Sequence, residues 1–124
     1  MVKLFLWVGL GGGIGSIARY AIHLGMLRYF PNHFPIGTFT VNILGSFLIG
    51  LFLGLSAKSV GWSDEFRIFL TIGLCGGFTT FSTFAVENLK LLENSNYSGF
   101  LFYTVGSIIL GILAVWGGFA LTKI

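Results

Sequence analysis

Charge is what this sequence has least of. Seven Lys+Arg and four Asp+Glu make only 9% of its 124 residues charged, against about 25% in a soluble domain. So sparse a set cannot solvate a water-exposed surface, and lipid is the expected solvent. The positive residues are scattered, so no basic track exists to follow a phosphate backbone, and nucleic acid is not an expected partner. One cysteine, Cys75, excludes an intrachain disulfide, and no Cys/His spacing matches a structural zinc site. His23 and His33 lie near the first loop with no nucleophile or metal partner at usable spacing. Both are read as interfacial histidines, and no enzyme activity is expected.

What is present is apolar: 55% of residues are hydrophobic, with 19 glycines and 14 phenylalanines. Charge-free stretches of 15, 29, 19 and 29 residues follow Lys3, Arg28, Arg67 and Glu93. A helix needs about 20 apolar residues to cross the hydrocarbon core. The expectation is an all-α integral membrane protein, a single transmembrane domain over 1–124, with helices near 4–27, 36–57, 66–88 and 98–121. The alternation of a lipid-facing barrel strand is absent. Arg28 to Pro35 reads as a proline-bounded turn at headgroup depth, and Lys58 to Glu65 as a loop in which Ser63 caps the third helix. The run after Lys3, ending at Ser16-Ile17-Ala18, has the outline of a signal peptide. The glycine-rich pattern continues past it and three spans follow, so it is read as the first span.

Four crossings put Lys3, Lys58, Arg67 and Lys123 on one side and Arg19, Arg28 and Lys90 on the other. Four positive charges against three give the positive-inside rule almost nothing to act on. Dual insertion is therefore expected, and two oppositely inserted copies can pair as an antiparallel homodimer. Small-xxx-small pairs occur on every helix, among them Gly9/Gly13, Gly11/Gly15, Gly73/Gly77 and Ser107/Gly111. They argue for close helix packing and say little about function.

The third helix differs from the rest. Gly76-Gly77-Phe78-Thr79-Thr80-Phe81-Ser82-Thr83-Phe84 sets two glycines beside a run of hydroxyl side chains at mid-membrane depth. Two readings are open: an unbroken helix whose hydroxyls bond back to preceding carbonyls, or a break whose polar backbone is satisfied by protein or a water-filled cavity. The density of the run favours a break and a site. On the second helix Thr38, Asn42 and Ser46 recur every four residues, and on the fourth Tyr103 and Ser107 do the same. Asn42 carries an amide that lipid cannot satisfy, so it bridges helices or faces a pathway. Phe81 and Phe84 either pack or turn their ring edges, which carry partial positive charge, towards an anion.

These residues carry a resemblance. The run from Gly76 to Phe84 with Glu87, together with Gly15-Ser16-Ile17-Ala18-Arg19-Tyr20 and the segment from Gly37 to Gly45, resembles the signature of the Fluc (CrcB-type) fluoride channels. The match runs in order through nearly the whole chain. The resemblance implies four-helix subunits paired as antiparallel dual-topology dimers with two pores, with the third helix broken at mid-membrane. It implies passive, selective fluoride conduction across the bacterial inner (plasma) membrane, letting cells shed fluoride that enters as HF. By the same resemblance Phe81 and Phe84 line the fluoride pathway with Asn42 as amide donor, and Tyr103 and Ser107 line a polar track. Thr38, Ser82 and Thr83 supply further hydroxyls to that pathway. It also implies a structural sodium ion at the dimer centre, held by main-chain carbonyls of Gly76 and Thr79 from both subunits. Arg19 matches the family's first-helix arginine, a candidate for the vestibule. Two other classes are weighed against this one. A small dual-topology multidrug or cation exporter needs an intramembrane carboxylate, yet 4–27 contains none and Glu87 lies near a helix end. A non-transporting structural membrane subunit leaves the polar stripes unexplained.

Overall fold

The computed structural model describes residues 1–31, 34–58 and 61–124. His33, with Asn32, and part of the second loop, Ser59 and Val60, lie outside the described residues. Two long helices come first, α1 (Val2–Tyr29) and α2 (Ile36–Lys58). The third apolar stretch is built in sections. It begins as α3 (Asp64–Ile68), widens into a π-helical stretch (Phe69–Cys75), and tightens again as the single turn α4 (Gly76–Phe78). After Thr79, Thr80 and Phe81 it resumes as α5 (Ser82–Glu93). A last long helix, α6 (Tyr97–Leu121), completes the chain.

Local chemistry sets these ends. Ser63 starts α3 by accepting the Phe66 N–H at 3.1 Å, and Asp64 and Glu65 occupy the first turn, where the helix dipole favours negative charge. Asn96 starts α6 in the same way, its side-chain oxygen taking the Gly99 N–H at 3.0 Å. Taking Asp64–Glu93 as one span, four helical stretches of 23 to 30 residues are long and apolar enough to cross a membrane. Large apolar side chains cover the outside, with Phe102 77% and Trp116 68% exposed. In water that surface would aggregate; in lipid it is solvated.

Glycine decides where the helices touch. α1 lies against the π-helical stretch and α4 through Gly11 and Gly15. A methyl group on Gly11 would stand 2.9 Å from the Leu74 nitrogen, and one on Gly15 would stand 2.8 Å from the Phe78 nitrogen. Gly77 meets Gly12 backbone to backbone on the other side of the same contact. Gly9 and Gly13, the overlapping pair on α1, have nothing near them. The two glycine pairs on α1 therefore have different fates, one packed and one facing outward. α2 and α6 form the second close pair, with Gly50 against Val115 and Gly118 against Phe47 and Leu51.

This contact makes a stability prediction. Gly15→Val has no room to relax, because its neighbours are backbone atoms. Overpacking a core costs roughly 1–3 kcal/mol, and backbone on both sides puts this site at the upper end. Purified Gly15→Val protein should unfold at clearly lower temperature in detergent, whereas Gly9→Val should match the parent. Equal thermal stability of the two variants would show that α1 does not rest on the third stretch through this face.

Candidate functional site

The interruption between α4 and α5 organises the site. Thr79 is extended, with φ −93° and ψ 162°, so the helix cannot continue through it. Backbone groups around it then lose their helical partners, a loss that costs several kcal/mol each in hydrocarbon. Side chains replace them. Arg19 on α1 donates from Nε to the Gly77 carbonyl at 3.0 Å. Asn42 on α2 clamps Thr80 from both sides: its Nδ2 donates to the Thr80 carbonyl at 2.9 Å, and its Oδ1 accepts the Thr80 N–H at 2.8 Å. The Thr80 hydroxyl in turn accepts the Thr83 N–H at 3.2 Å, helping to start α5. The Thr79 hydroxyl bonds back to the Cys75 carbonyl at 3.0 Å.

Two carbonyls are left over by this arrangement. In an unbroken helix the Thr80 N–H would reach Gly76 and the Thr83 N–H would reach Thr79. Both donors are spent elsewhere, and among the described residues no hydrogen bond reaches either carbonyl oxygen. Gly76 is exposed and Thr79 half-buried, both on the wall of a groove of about 620 Å³.

That groove gathers part of the expected pathway. Asn42, Phe81, Phe84 and Ser107 line it with Gly76 and Thr79. The rings of Phe81 and Phe84 have centroids 5.8 Å apart at 45°. Phe81 is 79% exposed, projecting from the chain's own surface. The Ser107 hydroxyl is the opposite case: it is buried, and it has no hydrogen-bond partner among the described residues. Ser46, one turn beyond Asn42 on α2, reaches the same groove.

The other expected residues sit elsewhere. Thr38 and Tyr103 converge on Glu87 of α5, donating to its two carboxylate oxygens at 2.9 and 2.8 Å. Tyr103 is fully buried, ringed by Phe34, Phe39 and Phe84 at centroid distances of 5.5, 6.4 and 4.9 Å. Phe84 thus touches both groups and joins the groove to the Glu87 cluster. Thr83 faces a smaller cavity of about 260 Å³, with Arg19, Thr38 and Thr80. Ser82 is exposed, its hydroxyl 3.5 Å from that of Thr80, and it lines neither cavity. Glu87 is the residue that sequence reasoning undervalued. Its signal was position: a carboxylate one turn beyond an aromatic–hydroxyl run, facing two hydroxyl stripes.

Such an arrangement defines a class: a small multi-pass membrane protein in which an interrupted span, stitched by side chains, brings an amide, a hydroxyl and two aromatic rings to one groove. The particular family follows from comparison. Residues 6–119 match the family described as CrcB-like protein, Camphor Resistance (CrcB), and the chain belongs to that family. Among curated relatives, a fluoride-specific ion channel FluC of Phocaeicola vulgatus is 49% identical over 117 residues, covering 94% of this chain and 96% of the relative. Proteins of the same name from Azobacteroides pseudotrichonymphae and Helicobacter acinonychis are each 45% identical, covering 99% of this chain and 98% of the relative. The chain is a multi-pass bacterial membrane protein.

Proposed function

We propose that this protein is a fluoride-selective channel that lets fluoride leave the cytoplasm passively across the inner membrane. The observation that carries the reading is the groove at the interrupted span, where the Asn42 amide, the unpartnered Ser107 hydroxyl and the Phe81–Phe84 ring pair face one space. The fluoride-specific relatives, similar over nearly their whole length, support it.

A small, strongly hydrated anion needs donors close enough to replace part of its water shell, yet weak enough to release it. Neutral donors in series meet both needs. Asn42 has one N–H left after bonding Thr80. Ser107 offers a hydroxyl with no competing acceptor among the described residues. Phe81 and Phe84 contribute ring edges, whose hydrogens carry partial positive charge. From Phe84 the track continues to Tyr103, Thr38 and Glu87, Thr83 flanks it beside the Arg19 vestibule, and the exposed Ser82 hydroxyl lies 3.5 Å from that of Thr80. An exporter driven by protons would need a carboxylate free to change partners, whereas both Glu87 oxygens already hold a hydroxyl donor.

The second copy enters for a physical reason. A groove lined by backbone carbonyls that lack hydrogen-bond donors cannot face lipid without cost. An antiparallel homodimer, favoured by the near-equal Lys/Arg split, covers this face and gives each copy a wall from its partner, hence two pores. The leftover carbonyls of Gly76 and Thr79 fit a hard monovalent cation, which prefers oxygen ligands. Two copies would bring four such oxygens to a sodium ion at the dimer centre. When bound, the ion neutralises the carbonyl dipoles and places positive charge near an anion path.

Liposomes containing only this protein test the reading, with external fluoride followed by electrode. Fluoride should leave while chloride stays. Phe81→Ile and Phe84→Ile keep the apolar bulk but remove the ring edges, and each should slow efflux by about tenfold or more, a loss of some 1.4 kcal/mol. Dimer yield should hold. Unchanged flux in both variants would show that the rings only pack, and no flux from the parent would remove the channel reading.

A further inference from the structure

One titratable side chain stands beside the track without a part in it. His23 lies one turn beyond Arg19 on the same face of α1 and is half-buried. Its ring occupies the space left by the missing side chain of Gly37: a methyl group there would meet His23 Nδ1 at 2.9 Å. Gly37 immediately precedes Thr38, the donor to Glu87.

Its position between two spaces is distinctive. An outer groove of about 570 Å³ is lined by Glu87 and Lys90, and the inner cavity by Arg19, Thr38, Thr80 and Thr83. Among the described residues, only His23 and Gly37 line both. The imidazole therefore forms the wall between the mouth of the groove and the cavity that backs onto the interrupted span.

We propose that His23 is a proton-operated anion collector, and that its protonation speeds fluoride conduction as the surroundings become acidic. The inference rests on the channel reading above. Among the described residues, the charged and titratable groups facing the two spaces are Arg19 and Tyr20 from α1 itself and Glu87 and Lys90 from α5; α2 presents Ile36, Gly37, Thr38 and Val41 there, none of them titratable. Glu87 holds its two hydroxyl donors, and Arg19 holds the Gly77 carbonyl. Imidazole is the one side chain in this set whose ordinary charge change falls between about pH 5 and 8. A proton on His23 adds one positive charge to a confined mouth that already carries Arg19 and Lys90. Local fluoride concentration rises with that potential, and throughput rises with it. Such a response matches supply, because acid surroundings convert fluoride to the neutral acid that crosses membranes.

The test is fluoride efflux from liposomes, less the neutral-acid leak measured in protein-free liposomes, at equal internal and external pH stepped from about 8 to about 5.5, where imidazole titrates. The parent should conduct about threefold faster at the acid end, the effect of one charge several ångströms away in a largely aqueous mouth. His23→Gln should conduct at the parent's alkaline rate throughout. His23→Arg should conduct at the acid rate throughout. His23→Ser, which fits easily beside Gly37, repeats the first measurement should the glutamine variant fold poorly. A full pH response in His23→Gln or His23→Ser would overturn the proposal while leaving the channel reading intact. Absence of flux from the parent at every pH would remove both.

Discussion

Asn42→Leu should bring fluoride efflux below detection and destabilise the protein together. Leucine nearly matches asparagine in size, so the change removes hydrogen bonds rather than volume. Both bonds lost belong to Thr80: its carbonyl at 2.9 Å and its N–H at 2.8 Å. Leaving a buried polar group unpaired costs about 1–3 kcal/mol, and more where no water can substitute. The cheapest repair is for Thr80 to give its N–H back to the Gly76 carbonyl, restoring a helical bond. That repair withdraws one of the two leftover carbonyls and rotates Phe81 out of register with Phe84. Channel function is thus lost even where the variant survives purification. Asn42→Asp separates the two losses. Its carboxylate still accepts from the Thr80 N–H but has no donor for the Thr80 carbonyl, and it puts negative charge beside an anion path. It should keep more of the thermal stability than leucine while conducting no better. Parent-like flux in Asn42→Leu would show the clamp dispensable.

Some of this was legible in the sequence for a simple reason. Charge is nearly forbidden in hydrocarbon, so the stretches free of it mark out where helices α2 and α6 run, whereas α1 continues through Arg19. The spacing of Thr38, Asn42 and Ser46 put three polar side chains on one face, and periodicity alone suffices for that. What periodicity cannot supply is the partner across the gap. Thr38 turns to Glu87 and Asn42 to the Thr80 backbone, so neighbours on one stripe serve two different clusters. Asn42 had two open roles, bridge or pathway. It bridges, with one N–H to spare. The widened π-helical stretch carries no mark in its own residues; it coincides with the glycine contact against α1, a tertiary circumstance. Arg19 was placed by family resemblance in a vestibule, and no local pattern announced that its Nε would cap Gly77.

Gly76→Val isolates the proposed meeting of two copies from the fold of one. The geometry of a single chain leaves room for valine here. Gly76 has ordinary helical angles, φ −62° and ψ −41°, is exposed, and a methyl group on it would meet nothing within 4 Å. Valine also has better helix propensity than glycine, by a few tenths of a kcal/mol. Within one chain the substitution should therefore be neutral, unlike Gly15→Val, whose methyls would drive into backbone. Between two chains the outcome reverses. If the copies meet where the Gly76 and Thr79 carbonyls are left over, a branched side chain stands at the closest approach and holds those oxygens away from a shared cation. Dimers should then disappear from dilute detergent solution and fluoride flux with them, while helix content and monomer stability stay at parent values. Thr79→Ala supplies the contrast. It loses the hydroxyl bond to Cys75 at 3.0 Å but keeps the carbonyl, and flux should remain within a few-fold of the parent. Cross-linking yield and flux, measured on the same preparations, decide the matter. A Gly76→Val protein that dimerises and conducts like the parent would move the interface away from this groove and take the sodium site with it.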